Sequence, residues 1–166
     1  MIQQNTNNGS PLFNSSWAEY KVGFNDSRGN YWLGNDLLSQ LTLRGRYKLR
    51  FDLQSRSNTS NWYYAEYSSF VVLSESSNYT LQVSGYSGNT GRDSFSYSNG
   101  MMFSTLDRDN DLWSGNCAPH WGGGFWYKSC VYCCVNTVNT DYTYFHWVGL
   151  PGGRALQSSR MWLQCK

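Results

Sequence analysis

Three strand-like stretches lie between residues 47 and 86, and beyond residue 87 no hydrophobic period survives. That break constrains the fold more than any other feature of the chain. YKLRFDLQ at 47–54 alternates apolar and polar residues, the mark of a half-buried strand. WYYAEYSSFVVL at 62–73 and YTLQVSGY at 79–86 are β-branched and aromatic, and Asn/Ser turns separate them. Upstream, SSWAEY at 15–20 predicts a helix start, with Ser16 as N-cap and Glu19 completing a capping box. That helix should stop near Gly23. NDLLSQL at 35–41 predicts a second short helix capped by Asn35 or Asp36.

Downstream the chain is loop chemistry: GNTGRDSFSYSNG, SGNCAPHWGGG and VGLPGG. Such a region cannot hold itself by strand ladders alone, so disulfides, a metal or both are the expected staples. All five cysteines fall there: Cys117, Cys130, Cys133, Cys134 and Cys165. An odd number leaves at least one thiol free or paired between chains. With 166 residues, no repeat and no linker, one domain is expected, 1–98 carrying the regular elements and 99–166 the loops.

Charged residues are 14% of the chain and aromatic ones 17%, with a net charge of +2. The 13 Lys and Arg form no basic stripe, which argues against a nucleic-acid partner. No apolar run approaches the roughly 18 residues that span a bilayer. Tyr, Trp, Ser, Gly and Asn instead give the palette of a binding surface. MIQQNTNNGS is polar and is not a signal peptide, so a leader is expected to be missing. Sequons at Asn8, Asn14, Asn25, Asn58 and Asn78 nevertheless favour secretion.

DRDNDLWSGNC at 107–117 concentrates carboxylates at Asp107, Asp109 and Asp111. Calcium takes roughly 6–8 hard oxygen ligands, and alternating Asp with carbonyls and water can supply them. Gly115 lets the backbone turn. The stretch is not an EF-hand, because the positions of its required glycine and its bidentate acid hold Leu112 and Ala118. A polar turn remains the other reading. Cys117 and Cys130 are spaced for a disulfide loop, or Cys117, His120, Cys130 and Cys133 for zinc. No catalytic signature accompanies His120 or His146, the only histidines. An aromatic cluster comprises Trp113, Trp121, Phe125, Trp126, Tyr127, Tyr142, Tyr144, Phe145 and Trp147. It suits stacking on sugars or enclosing an acetyl methyl, with Trp126 and Trp147 read as core.

These words stand in a familiar order: SWAEYKVGF (16–24), YWLGND (31–36), LRFDLQ (49–54), YAEYSSFVV (64–72), YTLQVSGYSGN (79–89), NGMMFSTLDRDND (99–111), GNCA (115–118) and GGGFWYKSC (122–130). The chain resembles the fibrinogen-related domain of fibrinogen, ficolins, tachylectins, tenascins and angiopoietins. The resemblance implies an α+β fold, with a central twisted antiparallel sheet, short flanking helices and an irregular loop subdomain holding calcium and a ligand pocket. It puts calcium on the carboxylates of Asp109 and Asp111 and the carbonyls of Trp113 and Gly115. It pairs Cys117 with Cys130 and implies a cis peptide at Ser129–Cys130. The pocket would involve Trp121, Cys130, Val131, Tyr142 and Tyr144.

The chain also departs from the family. MIQQ falls near the middle of the usual VIQRR-like strand, so the family's N-terminal cysteine-bearing subdomain is expected to be missing from this sequence. Val131 stands where acetyl-binding members often have His. CVNT replaces NLNG, and the last strand reads MWLQCK, which adds Cys165. The function implied is a secreted, calcium-dependent recognition lectin of innate-immune type that binds acetylated or other microbial glycans. A protein-ligand, receptor-binding or extracellular assembly module is the alternative. No catalysis is expected, and oligomers are expected for the full-length protein.

Overall fold

A computed structural model describes residues 1–137 and 144–166. Its fold is α+β and is built on one seven-stranded antiparallel sheet. The strands are β1 (Gln3–Asn5), β2 (Phe24–Asn25), β3 (Tyr31–Trp32), β4 (Tyr47–Ser55), β5 (Trp62–Val72), β6 (Leu81–Gly88) and β9 (Leu156–Cys165), in the order β2-β3-β1-β9-β4-β5-β6. β7 (Cys133–Cys134) and β8 (His146–Trp147) form a separate pair.

The alternation at 47–54 does what period-2 patterning requires. Leu49, Phe51 and Leu53 are fully buried, while Lys48, Arg50, Asp52 and Gln54 face outward. On the outward face Arg50 pairs with Asp52 and Glu66, each at 2.8 Å, and its guanidinium lies 4.6 Å above the Tyr64 ring. On the inner face aromatic rings interlock. Phe95 and Trp147 meet Phe51 edge-on at 4.9 and 5.2 Å, and Trp126 meets Phe103 at 5.1 Å. Trp126 and Trp147, read as core from the sequence, are fully buried.

α1 (Trp17–Val22) begins as its sequence dictates. Ser16 caps Glu19 N–H, the Glu19 carboxylate accepts from Ser16 N–H at 2.7 Å, and Gly23 ends the helix. α2 (Asn35–Arg44) corrects the expectation. It runs three residues past Leu41, and neither Asn35 nor Asp36 caps it. Gly34 occupies the N-cap at φ +103°, where a Cβ would sit 2.7 Å from the Val22 carbonyl oxygen. The two helices approach too closely there for a capping side group. Asn35 is buried instead and accepts from the Trp32 indole N–H at 3.1 Å, while Asp36 accepts from the Tyr79 hydroxyl at 2.6 Å.

β9 comes from the loop-rich part of the sequence yet lies between β1 and β4, so the division at residue 98 marks the chain and not the sheet. Among the described residues no helix is long and apolar enough to cross a membrane.

Candidate functional site

The aspartate-rich turn separates its carboxylates by task. Asp107 is bonded outside the group formed by the other two. Its Oδ1 accepts from the Trp17 N–H at 2.8 Å and from the Thr105 hydroxyl at 2.7 Å, which fastens the turn to the start of α1. Asp109 and Asp111 stay with the loop. Asp109 Oδ1 accepts from Asp111 N–H at 3.1 Å, and the two Asp111 oxygens accept from Trp113 and Cys117 N–H, both at 2.8 Å. Burial pushes the Asp111 carboxyl up, and the neighbouring Asp109 charge adds to it against the two N–H donors. Two carboxylates held side by side at that cost form a donor set that a hard dication fits. The Trp113 ring folds over Gly115, where a Cβ would stand 3.2 Å from it, so a side chain at 115 would have to push that ring aside. Among the described residues there is no cluster of three or more His, Cys, Asp and Glu side chains that could hold a metal. Calcium here would depend on two carboxylates supplemented by backbone carbonyls.

Cys117 opens α3 (Cys117–Trp121), whose N-cap Asn116 accepts from Ala118 N–H at 2.9 Å. Its disulfide to Cys130 is formed, and the Ser129–Cys130 peptide is cis. The bridge removes two of the four zinc ligands weighed from the sequence. Cys133 is buried and free, so the zinc set does not exist. Leu112 N–H donates to the Lys128 carbonyl and Lys128 N–H to the Cys130 carbonyl, both at 2.8 Å. Turn, α3 and bridge thus form one bonded unit.

That unit displays Trp121 at the end of α3, just before Gly122 turns the chain at φ +75°. Around it lie Tyr144 at 5.5 Å, His120 at 5.6 Å and His146 at 5.1 Å between ring centroids. Trp113 extends the wall, edge-on to His120 at 6.0 Å. The Trp121 indole N–H is buried and has no hydrogen-bond partner among the described residues. Leaving such a donor unsatisfied costs about 1–3 kcal/mol unless a ligand or water takes it.

Of the residues expected in the pocket, Trp121 and Tyr144 come together. Val131 joins the buried core, and Cys130 packs against that core. Tyr142 lies outside the described residues. Phe125, Tyr127 and Phe145 are core as well. His120 stands beside Trp121 in the sequence, but His146 was not expected at the site, and nothing in the local sequence marks it. His146 is 2% exposed, its Nδ1 is 2.9 Å from the Tyr144 carbonyl, and burial holds its pKa below the ordinary value. The arrangement offers rings, one free N–H and carboxylates already committed to backbone donors. It has the parts for binding.

Residues 1–161 match the family described as fibrinogen beta and gamma chains, C-terminal globular domain. Fibrinogen-like protein A of Apostichopus parvimensis is 42% identical over 146 residues, covering 84% of this chain and 51% of that protein. Human microfibril-associated glycoprotein 4 is 42% identical over 134 residues, covering 78% of this chain and 52% of that protein. The chain therefore spans about half the length of these two relatives. The fibrinogen-like globe domain of human ANGPTL6 superposes with a TM-score of 0.89 at 34% identity, over 99% of this chain and 77% of that one. The lamprey fibrin D-dimer in complex with the peptide Gly-His-Arg-Pro-amide gives 0.81 at 30% identity, over 98% of this chain and 59% of that one.

Proposed function

The protein belongs to the family of C-terminal globular domains typified by the beta and gamma subunits of fibrinogen, and from that premise we propose that it is an extracellular, calcium-dependent recognition lectin for acetylated or other microbial glycans. The observation that carries this reading is the unspent Trp121 N–H set in a wall of Trp113, His120, Tyr144 and His146. Apolar sugar faces and acetyl methyl groups pack on rings, while an acyl carbonyl or hydroxyl takes a buried donor. A ligand that supplies that acceptor removes an existing cost, so affinity gains from a group the protein has already desolvated.

Calcium, when bound, supplies a divalent charge that gathers hard oxygens; Asp109, Asp111 and the carbonyls of Trp113 and Gly115 would hold it. The residues around it act by position. Asp111 fixes the N–H of Cys117, the first residue of α3, and Thr137 donates to the Trp121 carbonyl at 2.7 Å, so the two anchor opposite ends of the helix that presents the indole. The formed disulfide supports an oxidising, extracellular setting. The name of microfibril-associated glycoprotein 4 points the same way. Oligomer formation and partners belong to the longer proteins such modules sit in.

A second reading is favoured by one observation. The lamprey relative carries a peptide ligand, so the same wall could take a peptide end or a receptor segment. A calcium-equilibrated N-acetylglucosamine column separates the two. The lectin reading expects retention, elution by free acetate and loss of retention for Trp121→Ala. Passage straight through, with capture by an immobilised peptide of free N-terminus, would replace it with the second reading.

A further inference from the structure

The five sequons are chemically alike and the fold treats them differently. The folded protein has to accommodate a bulky glycan on Nδ2, so an occupied acceptor keeps its amide out of native contacts, and a hydroxyl two residues on that no native contact uses marks an open sequon. At Asn78 neither is free. Its Oδ1 accepts from Arg108 at 2.6 Å and its Nδ2 donates to the Met102 sulfur at 3.1 Å. The Thr80 hydroxyl donates to the Ser77 carbonyl at 2.6 Å. Asn8 spends its Nδ2 on the Arg28 carbonyl at 3.4 Å, and Ser10 caps Leu12 N–H. Asn14 is exposed, but the Ser16 hydroxyl belongs to the capping box of α1.

Asn25 and Asn58 differ from these three. Both are exposed, and neither amide Nδ2 makes a hydrogen bond among the described residues. The Ser27 and Ser60 hydroxyls are equally uncommitted. Asn58 sits in the turn joining β4 to β5, and its Oδ1 accepts from Ser60 N–H at 3.0 Å. That bond uses the amide oxygen and leaves the amide nitrogen and the serine hydroxyl uncommitted on one exposed loop. Asn25 lies on β2, the outermost strand at one margin of the sheet, which pairs with β3 alone.

We propose that Asn25 and Asn58 are N-glycosylation sites and that the fold withholds the other three sequons. The donor is an oligosaccharide carried on a polyprenyl diphosphate. The acceptor Nδ2 attacks its C1, a C1–N bond forms, and the C1–O bond to diphosphate breaks. The polyprenyl diphosphate leaves with the electron pair, one amide proton passes to a base, and nothing is oxidised or reduced. Oligosaccharide at Asn25 would stand over the open rim of β2, where a bulky polar group blocks edge-to-edge pairing with another polypeptide.

The proposal rests on the extracellular reading, because the transferase acts on proteins entering the secretory route. The test expresses the protein behind a leader in animal cells and maps glycopeptides after peptide-N-glycosidase treatment in heavy-oxygen water, from medium and from internal membranes. Isotope-labelled Asp at 25 and 58 alone is expected. Asn58→Gln should remove one mobility step, and Asn25→Gln together with Asn58→Gln should remove both. An unlabelled protein, or label at Asn8, Asn14 or Asn78, overturns the assignment. Label at 25 and 58 on a protein held in the membranes upholds it and counts only against secretion.

Discussion

Trp121 is the residue on which the binding site turns, and its ring and its N–H can be tested apart. Trp121→Phe keeps an aromatic surface and removes the donor. Binding to the glycan column should weaken by about 5–30-fold, the equivalent of the 1–2 kcal/mol that a hydrogen bond to a neutral acceptor carries. Beside it, His146 makes the site sensitive to pH. Burial first, and the Arg154 charge last, lower its pKa, while its bond to the Tyr144 carbonyl works the other way. A base with a lowered native pKa is protonated more readily in the unfolded state. Stability should therefore fall as pH drops below 6.5, the ordinary value for His146, and His146→Gln should flatten that slope in denaturant titrations. Asp26 adds a separate step at lower pH. Burial pushes it up, but bonds from Asn30, Ser10 and Arg28 outweigh burial and bring it to about 2. Its contribution is complete above the ordinary carboxylate range and is lost as pH falls from about 4 toward 2.

At the scale of elements, local signals carried α1, β4–β6 and the start of α2, and missed the cap and the end of α2. The α1 capping box is spelled by residues three apart, so it is legible in sequence, and Ser16→Ala should cost about 0.5–2 kcal/mol in chemical unfolding. The α2 cap is not legible, because Gly34 is chosen by the approach of Val22, a tertiary fact. For the same reason the aspartate spacing announced the turn while His146 stayed hidden. Its ring meets Trp121 because α3 and β8 converge, and no local period records that. Val131, expected at the pocket, is packed in the buried cluster, a placement its apolar side chain allows and its sequence neighbours do not announce. A loop position can be as closely packed as one in the sheet. A Cβ on Gly123 would lie 2.1 Å from the Asn136 carbonyl oxygen, so Gly123→Ala should destabilise by about 1–3 kcal/mol, read as a lower melting temperature.

For the whole molecule, the loop-rich half is held by one covalent bridge and one polar turn. Reducing or removing Cys117–Cys130, which closes a loop with a sequence separation of 13, should cost about 3 kcal/mol. If calcium occupies the turn, it should raise the melting temperature of the parent protein, and Asp109→Ala with Asp111→Ala should abolish the rise. A parent protein whose melting is indifferent to calcium would sink the metal reading while leaving the fold intact. The double variant leaves Asp107 untouched, so the tie to α1 through Trp17 persists when the metal ligands are gone.

The place of β9 has a consequence for how the protein reaches this fold. β2, β3 and β1 make one ribbon and β4, β5 and β6 another, and only β9 joins them. During synthesis from the N-terminus, β1 and β4 each wait with a bare row of N–H and C=O groups until residues 156–165 exist. For that interval the nascent polypeptide is two half-sheets with sticky inner margins, free to pair with a neighbour's. β9 is thus the mortise of the sheet, and the nascent polypeptide is most in need of a chaperone in the interval before β9 arrives.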